Sequence, residues 1–420
     1  MLLPTATYRT AAFVAAARRL GVELTVASER PSTLAQFNPT GLITLDLADP
    51  DHAVEQARAF SREHPIRGVV GVDDDTAVVA AAIASALGLR GNPVAAARAA
   101  RDKHEQRELL AAAGVPVPRF AAHRLSEDPE SLAVRVAYPC VVKPLRLSAS
   151  RGVIRADTPA QLVAAFHRLK RILEQPDVAA CGESSRRFLT EDFVDGSEHA
   201  LEGLLVEGRL HVLALFDKPD PLDGPFFEET IYVTPSRLAD GAQRAVGACA
   251  QGAVTALGLR EGPVHAELRY NERGPWLIEL AARSIGGRCS EVLRFGTGDA
   301  GWGTGALSLE EIIIGHALGM PVPRLDRETP ASGVMMIPVP PGGGVLRQVR
   351  GVAAARAVPL VENVVITTHA GQALVPWPEG SRYPGFIFAR GETPEAVDAA
   401  LRAAHRRLEF VIDAPAAAVS

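Results

Sequence analysis

Val264-His-Ala-Glu-Leu-Arg-Tyr270, then Asn271-Glu-Arg-Gly-Pro275, then Trp276-Leu-Ile-Glu-Leu-Ala-Ala-Arg283, reads as a strand, a turn and a returning strand. Both flanks alternate apolar with other residues at the period of two that a pleated strand imposes, and the middle five carry turn chemistry. A hairpin symmetric about Arg273 sets Glu267 directly opposite Glu279. Opposed residues share a face, with β-carbons roughly 5 Å apart, so two like charges there repel. A divalent cation reverses the sign of that interaction, and hard carboxylate oxygens suit magnesium or manganese. The competing arrangement pairs one glutamate with Arg269 or Arg283 on a solvated face. Arg283 stands just past the second strand and leads into Ser284-Ile-Gly-Gly287. Held there, its planar fork can hydrogen-bond a carboxylate or a tetrahedral oxyanion; the bland alternative is a surface ion pair to Glu291 or Asp299.

Upstream, Pro139-Cys-Val-Val-Lys143-Pro144 reads as an apolar strand ending in a lysine fixed before a proline. Beyond it, Ser148-Ala-Ser150-Arg-Gly152-Val153 is a small loop. Successive backbone N–H groups in such a loop can wrap phosphate oxygens, with Lys143 adding a point charge. It is not a Walker loop, because G-x-x-x-x-G-K-[ST] is absent, and an ordinary hairpin turn is the competing reading. Lys103 falls on a charged helix read over residues 101–113 and capped at Gly114, where a solvated role is the alternative. Phe188 to Glu198 reads as a strand entering a turn and carries Glu191, Asp192, Phe193, Val194 and Glu198. Phe226-Phe-Glu228-Glu229 combines aromatic and acidic residues suited to an ammonium group, or to an ordinary strand edge.

The rest of the chain organises around these stretches. Residues 1–95 alternate apolar runs with alanine-rich helical stretches: a helix over 13–20, a strand over 23–27, a buried strand over 68–72 ending in Asp73-Asp-Asp75, and a helix over 76–87. That βα alternation implies a small parallel sheet. Its first strand looks abbreviated, which suggests a start further upstream, and the absence of G-x-G-x-x-G disfavours a dinucleotide site. Thr158-Pro159-Ala-Gln161 opens a helix with an N-cap, a proline in the first turn and a capping-box glutamine. Strands follow over 201–216, then a polar loop over 217–225 that includes Lys218. A third unit begins near residue 321, with strands over 333–339, 361–367 and 384–390 and a last helix opened by Thr393-Pro394. On that helix Val397, Leu401, His405 and Leu408 repeat at helical spacing and read as core.

Composition bounds what the chain can do. At 420 residues it suits two or three domains packed around a cleft. Hydrophobic residues at 47% and charged residues at 22% match a folded protein rather than a disordered one. A net charge of −5 supplies no basic excess to displace counterions, so nucleic acid is not an expected partner. No run of about 18 uncharged apolar residues occurs, which excludes a membrane helix. Met-Leu-Leu-Pro4 lacks a signal peptide's basic start, so a cytoplasmic location is expected. Cys140, Cys181, Cys249 and Cys289 are scattered and read as buried free thiols rather than as a zinc site or disulfides.

Taken together, in this order and at this spacing, the pieces resemble the ATP-grasp superfamily over the whole chain. The resemblance implies an α/β and α+β protein in three parts: an N-terminal parallel α/β unit over 1–95, an ATP-grasp core over 96–320 with a mobile lid at about 119–190, and a C-terminal α+β unit over 321–420. Lys103 and Lys143 match the two lysines that contact nucleotide phosphates, and Ser148, Ser150 and Gly152 fall in the loop that closes over them. Glu191, Asp192, Phe193 and Val194 match the hinge that reads adenine, Glu198 the acid on the ribose hydroxyls, and Glu267 and Glu279 the two metal ligands. Lys218 is placed to reach the γ-phosphate or the substrate. Many members carry an asparagine two residues after the second metal glutamate; here Ala281 stands there, in Glu279-Leu-Ala-Ala-Arg283. That form is similar to bacterial L-amino-acid ligases, in which the matching arginine meets the substrate carboxylate or the intermediate, so Arg283 takes the catalytic role.

The resemblance therefore implies ATP and magnesium (or manganese) as cofactors. The expected activity is a carboxylate–amine ligase that forms an amide through an acyl phosphate and releases ADP and phosphate. Its expected partners are a small-molecule carboxylate and a small-molecule amine, with a homodimer left open as the assembly. The competing readings are a purine-pathway or biotin-carboxylase-like ligase of the same superfamily, and a nucleotide-binding module without catalysis.

Overall fold

One eight-stranded antiparallel sheet runs through the core and the C-terminal unit of the computed structural model, which describes residues 1–5, 7–32, 38, 40–179, 182–297 and 305–413. Its order is Gly274–Ala281, Gly262–Asn271, Ser197–Val206, Arg209–Lys218, Ile231–Thr234, Ala331–Met336, Gly385–Gly391 and Val361–Ile366. The three expected C-terminal strands thus extend the core's own sheet. A smaller sheet, Ala373–Leu374, Gly344–Arg350 and Glu409–Asp413, stands apart in that unit.

The decisive hairpin pairs Glu267 with Glu279, as expected, but by a different route. The turn is tighter than a five-residue one: Asn271 pairs with Gly274, whose φ of 99° favours glycine. Pairing then slips by one residue between Glu267 and Leu268, leaving Ile278 outside the ladder as a β-bulge. Short turn and bulge compensate, so the glutamates meet on one face. Val264, Ala266, Leu268, Leu277 and Leu280 point to the other face, where they pack with Val246, Ala250 and Val254 of the helix Asp240–Leu257.

The lid is a four-stranded antiparallel sheet in the order Phe120–Arg124, Arg187–Asp192, Cys140–Pro144 and Ile154–Ala156. Leu162, Ala165, Phe166 and Leu169 from the helix Pro159–Leu173 bury one of its faces. Thr158 caps that helix by accepting from the Gln161 N–H, as the sequence predicts. In the N-terminal unit Val26–Ser28 runs parallel to Leu42–Thr44. The expected strand over 68–72 is reduced to a single bridge from Gly71 to Leu2, which also bridges Ala27.

Two local corrections bear on the site. The helix expected over 101–113 is two helices, Val94–Arg101 and Lys103–Ala112, divided at Asp102. Asp102 is extended and accepts hydrogen bonds from the N–H groups of His104 and Glu105, so it caps the second helix and makes Lys103 its first residue. The polar loop expected to begin at 217 begins later, because the strand Arg209–Lys218 continues through Lys218. Both lysines therefore emerge from ends of regular elements. Cys140, Cys249 and Cys289 are buried free thiols; Cys181 lies outside the described residues. No described helix is long and apolar enough to cross a membrane.

Removing the cap should cost about 1 kcal/mol of stability, the usual worth of an N-cap carboxylate. Denaturant unfolding of Asp102→Ala checks this, with Asp102→Asn expected to retain most of the parent's stability because an amide oxygen still accepts the two N–H bonds. An unchanged midpoint in Asp102→Ala would mean that packing alone divides the helices.

Candidate functional site

Two hollows meet on the sheet face that carries Glu267 and Glu279. The smaller, about 80 Å³, lies between the lid and the core and is lined by Lys103, Lys143, Glu191, Phe193, Glu198 and Ile278. The larger, about 290 Å³, is lined from all three units, by Tyr8 and Asp74, by His265 and Arg283, and by Tyr383 and Phe386. Ser150, Glu267 and Glu279 line both, so these residues form the shared wall.

Within that wall the carboxylates are held by lysines. The Lys218 ammonium stands 2.7 Å from Glu198 Oε1, 2.7 Å from Glu229 Oε1 and 3.1 Å from Glu267 Oε1. Burial opposes a charge on Lys218, but the three carboxylates outweigh it and lift the pKa well above the ordinary lysine value. Burial likewise pushes up Glu267, yet the Lys218 ammonium dominates and holds that carboxyl well below its usual range. Glu229 goes the other way, because burial and the neighbouring Glu267 charge together exceed the pull of Lys218. Across the wall Lys103 Nζ donates to Leu147 O at 2.9 Å and lies 3.0 Å from Glu279 Oε1. The repulsion anticipated between Glu267 and Glu279 is thus offset by Lys218 on one side and Lys103 on the other. Neither Arg269 nor Arg283 takes that role.

On the lid side, Lys143 Nζ lies 2.7 Å from Glu191 Oε2. Arg107 donates from Nε to Glu191 Oε1 at 2.8 Å and reaches the carbonyl of the bulged Ile278. Burial lowers the Lys143 pKa to about 8, against the pull of Glu191. The Glu191 carboxylate is occupied by this pair, which leaves the neighbouring backbone and Phe193 to face the hollow. Phe193 sits between the guanidinium groups of Arg155, 4.0 Å from its ring centroid, and Arg269, at 4.8 Å. Arg269 also donates to Glu198 Oε2 at 3.1 Å and to Val194 O at 2.8 Å. Asp192 lines the edge of the smaller hollow, with its carboxylate paired to Arg119 at 2.6 Å.

In the larger hollow Arg283 donates from Nε to Asp74 Oδ2 at 3.0 Å. Burial alone would depress its pKa, and Asp74 more than reverses that, so Arg283 stays charged. Asp74 is available because Asp73 is already used as the N-cap of the helix Asp74–Ala86. Arg9 fixes the following turn by donating to Ser284 Oγ at 2.7 Å and Ile285 O at 2.9 Å.

The loop 148–153 departs from its expected state. Ala149 and Ser150 take positive φ of 53° and 54°, a strained conformation for side-chain-bearing residues. The Gly152 N–H donates to Pro378 O at 2.9 Å, and the N–H groups of Arg151 and Val153 bond back to Ser148 O and Ser150 O. Those three amides are therefore engaged and do not wrap an anion in this conformation, while Ser150 faces both hollows.

All the sequence-derived residues except Gly152 and Lys218 thus line the two hollows, and Lys218 reaches the shared wall through its contact with Glu267. Sequence reasoning missed Arg107, Asp74 and His265. Arg107 and Asp74 act through partners distant in the chain, with no local signal. His265, whose Nε2 is 3.5 Å from Glu267 Oε1, could have been found because it shares the alternation that places Glu267 on the site face.

Comparison with known proteins agrees with this geometry. Three family models match along the chain: an ATP-grasp N-terminal domain over residues 14–91, an ATP-grasp domain over 136–292 and the L-amino acid ligase C-terminal domain 2 over 336–413. The chain carries ATP-grasp N-terminal and ATP-grasp domains followed by a C-terminal domain of the L-amino acid ligase type. A solved L-amino acid ligase from Bacillus licheniformis superposes with a TM-score of 0.81 at 27% identity, covering 98% of each chain. Alanine–anticapsin ligase of Bacillus subtilis is 31% identical over 213 residues, 48% of this chain and 44% of that protein. Human carnosine synthase 1 is 28% identical over 286 residues, 64% of this chain and 34% of that protein. The chain thus spans less than half the length of these two curated relatives.

Replacing Lys218 by methionine should destabilise the fold by about 3–5 kcal/mol near neutral pH, since it strands buried carboxylates without their cation. The effect has a definite pH sign. Lys218 holds the folded pKa of Glu267 below the ordinary 4.5, so this stabilisation is present above that value and is lost as pH falls below it. The gap between parent and Lys218→Met in urea unfolding should therefore narrow toward acid; a gap that widens would contradict the charge assignment.

Proposed function

We propose that this chain is an ATP-dependent carboxylate–amine ligase that joins amino-acid substrates through an acyl phosphate, releasing ADP and phosphate. The observation that carries this reading is the wall shared by the two hollows, because a γ-phosphate presented from one side meets a carboxylate presented from the other. In this reading the smaller hollow takes ATP. Phe193 and the backbone at 192–194 face the adenine, Glu198 the ribose, and Lys103 and Lys143 the phosphates.

The donor set of the wall fits a hard divalent cation, since Glu267 and Glu279 are opposed in register and present carboxylate oxygens to both hollows. Magnesium or manganese held by these two residues would neutralise phosphate charge and so favour transfer. Ala281 offers no side-chain ligand. Lys218 keeps Glu267 ionised, and Lys103 pairs with Glu279 and holds it at the wall. Phosphoryl transfer depends chiefly on such positioning and charge. A substrate carboxylate oxygen attacks the γ-phosphorus, the bond to the bridging oxygen breaks, and ADP departs. The larger hollow holds the acyl phosphate beneath the loop 148–153, which limits its hydrolysis. The amine nitrogen then attacks the acyl carbon, loses a proton, and expels phosphate with the C–O electron pair. Arg283, kept charged and aimed by Asp74, stabilises the oxyanion of that step.

A screen of purified protein with ATP, magnesium and pairs of amino acids tests the reading, followed by mass spectrometry of products. It should give ADP, phosphate and a dipeptide-like amide, with Glu279→Gln slowed by several orders of magnitude. AMP and pyrophosphate as products, or near-normal turnover in Glu279→Gln, would overturn it. Lys143 supplies a second check. Its folded pKa lies near 8, so the ammonium is increasingly neutral above that value and offers phosphate no charge. ATP affinity should therefore fall several-fold as pH rises through about 8, whereas Lys143→Arg should show a flatter profile. Parallel profiles, measured by calorimetric titration, would remove Lys143 from the phosphates.

A further inference from the structure

The C-terminal unit reaches back over the lid at residues 377–383. Trp377 is buried and donates from Nε1 to Ala149 O at 2.7 Å. Pro378 O accepts from the Gly152 N–H at 2.9 Å. At Gly152 a β-carbon would lie 3.0 Å from Leu169 Cδ1, and φ is 76°, so only glycine presents its amide there without strain. Glu379 closes the contact with a bidentate pair to Arg168 of the lid helix, at 2.6 and 2.8 Å. Arg168 in turn covers the Phe226 ring, 4.6 Å from its centroid.

The same segment touches the larger hollow. The rings of Trp377 and Tyr383 lie 4.8 Å apart between centroids, and Tyr383 and Ser381 line the hollow. The Tyr383 hydroxyl is buried at the chamber's edge with no side-chain hydrogen-bond partner among the described residues and the Glu229 backbone as its polar neighbour. One short segment thus holds the loop 148–153 with one end and lines the larger hollow, through Ser381 and Tyr383, with the other.

We propose that residues 377–383 position the loop 148–153 over the nucleotide, and that Tyr383 couples this closure to occupancy of the larger hollow. Trp377 and Glu379 are positioning residues, acting through the loop and the lid helix rather than on the reacting atoms. Tyr383 donates its hydroxyl to the bound substrate, and the ring contact with Trp377 transmits the resulting order to Ala149. This rests on the reading of the larger hollow as the substrate chamber.

The experiment compares the parent with Trp377→Phe, Glu379→Gln, Tyr383→Phe, the single reversals Arg168→Glu and Glu379→Arg, and the charge exchange that combines those two. It reads phosphate released per amide formed, KM for ATP against kcat, and tryptic cleavage after Arg151 with and without magnesium–ATP. Trp377→Phe and Glu379→Gln should raise the KM for ATP about five- to tenfold with little change in kcat, and release several phosphates per amide. The exchange should recover at least half of the loss that either single charge reversal causes. Tyr383→Phe should keep the parent's KM for ATP, while amino acids no longer add to the protection of Arg151. Parent-like KM and coupling in Trp377→Phe and Glu379→Gln, or an exchange no better than the single reversals, would overturn the proposal. If no pair of amino acids yields an amide even with the parent, the ligase reading fails, and proteolysis decides the positioning role alone. ATP protection of Arg151 in the parent but not in the variants then supports it, and equal protection overturns it.

Discussion

An ammonium buried among carboxylates is the constraint around which this site is arranged. Glu198, Glu229 and Glu267 converge on Lys218 within hydrogen-bonding distance, on a side chain almost wholly removed from water. Taking such charges out of water is expensive, and their mutual attraction offsets that only when geometry is good and the remaining lone pairs are satisfied. Three strands and the 219–230 loop supply the four groups, so the sheet must hold its register for the cluster to balance. Net charge also matters: three carboxylates against Lys218 and the Arg269 guanidinium on Glu198 leave the cluster one cation short. Glu229 accordingly shifts toward its neutral form while Glu267 stays ionised. That division leaves a carboxylate facing the shared wall and a group of adjustable charge behind it.

The backbone makes this arrangement rigid. The sheet is continuous from Gly274–Ala281 to Val361–Ile366, so the wall with Glu267 and Glu279 and the C-terminal strands that back Tyr383 belong to one ladder. Arg283 is fixed from a third direction, by Asp74 of the N-terminal unit. By contrast, the lid sheet has its own core, and it meets the rest through the buried Arg107–Glu191 pair, the Arg168–Glu379 pair and the contact of Phe226. Such boundaries open at lower free energy than packed interiors do. A rigid chamber with a separately packed cover suits chemistry in which an easily hydrolysed intermediate must be enclosed after the substrates enter.

Much of this was legible in the sequence wherever local periodicity controlled the outcome. The alternation around Glu267 and Glu279 placed both on one face, and the pairing survived an error in turn length because the Ile278 bulge compensates for the tighter turn. Thr158-Pro159 and Thr393-Pro394 marked helix starts correctly, since capping is a short-range interaction. Legibility failed where a residue's neighbours are distant in the chain. Asp102 looked like one more charge on a helix, whereas its side chain ends one helix and starts another. Lys218 looked like part of a polar loop because Pro219 follows it, although its partners lie 11 to 49 residues away. Arg107 carried no signal at all, being a fully buried arginine on a helix whose sequence reads as solvated.

The substitution of Ala281 for an asparagine can be followed further through its neighbours. Ala281 pairs with His265 across the hairpin, and both face the larger hollow. A methyl at that point removes one hard oxygen from the wall and leaves His265 unhindered beside Glu267. Burial depresses the His265 pKa, so this imidazole is neutral near pH 7 and adds no competing charge. Beneath it Glu202 is buried completely, with one oxygen accepting the Ile285 N–H at 2.9 Å and the other unpaired, and burial drives it toward the neutral acid. The charge on this face is therefore concentrated in Glu267 and Glu279, each matched by one lysine, while the layer below them is uncharged. In that low-dielectric setting a ligand approaching the wall meets two oriented carboxylates, their two ammonium partners and, from the larger hollow, the Arg283 guanidinium. Electrostatic selection by the site then depends on these buried side chains, with Arg283 and Lys143 beside them, rather than on the acidic surface as a whole.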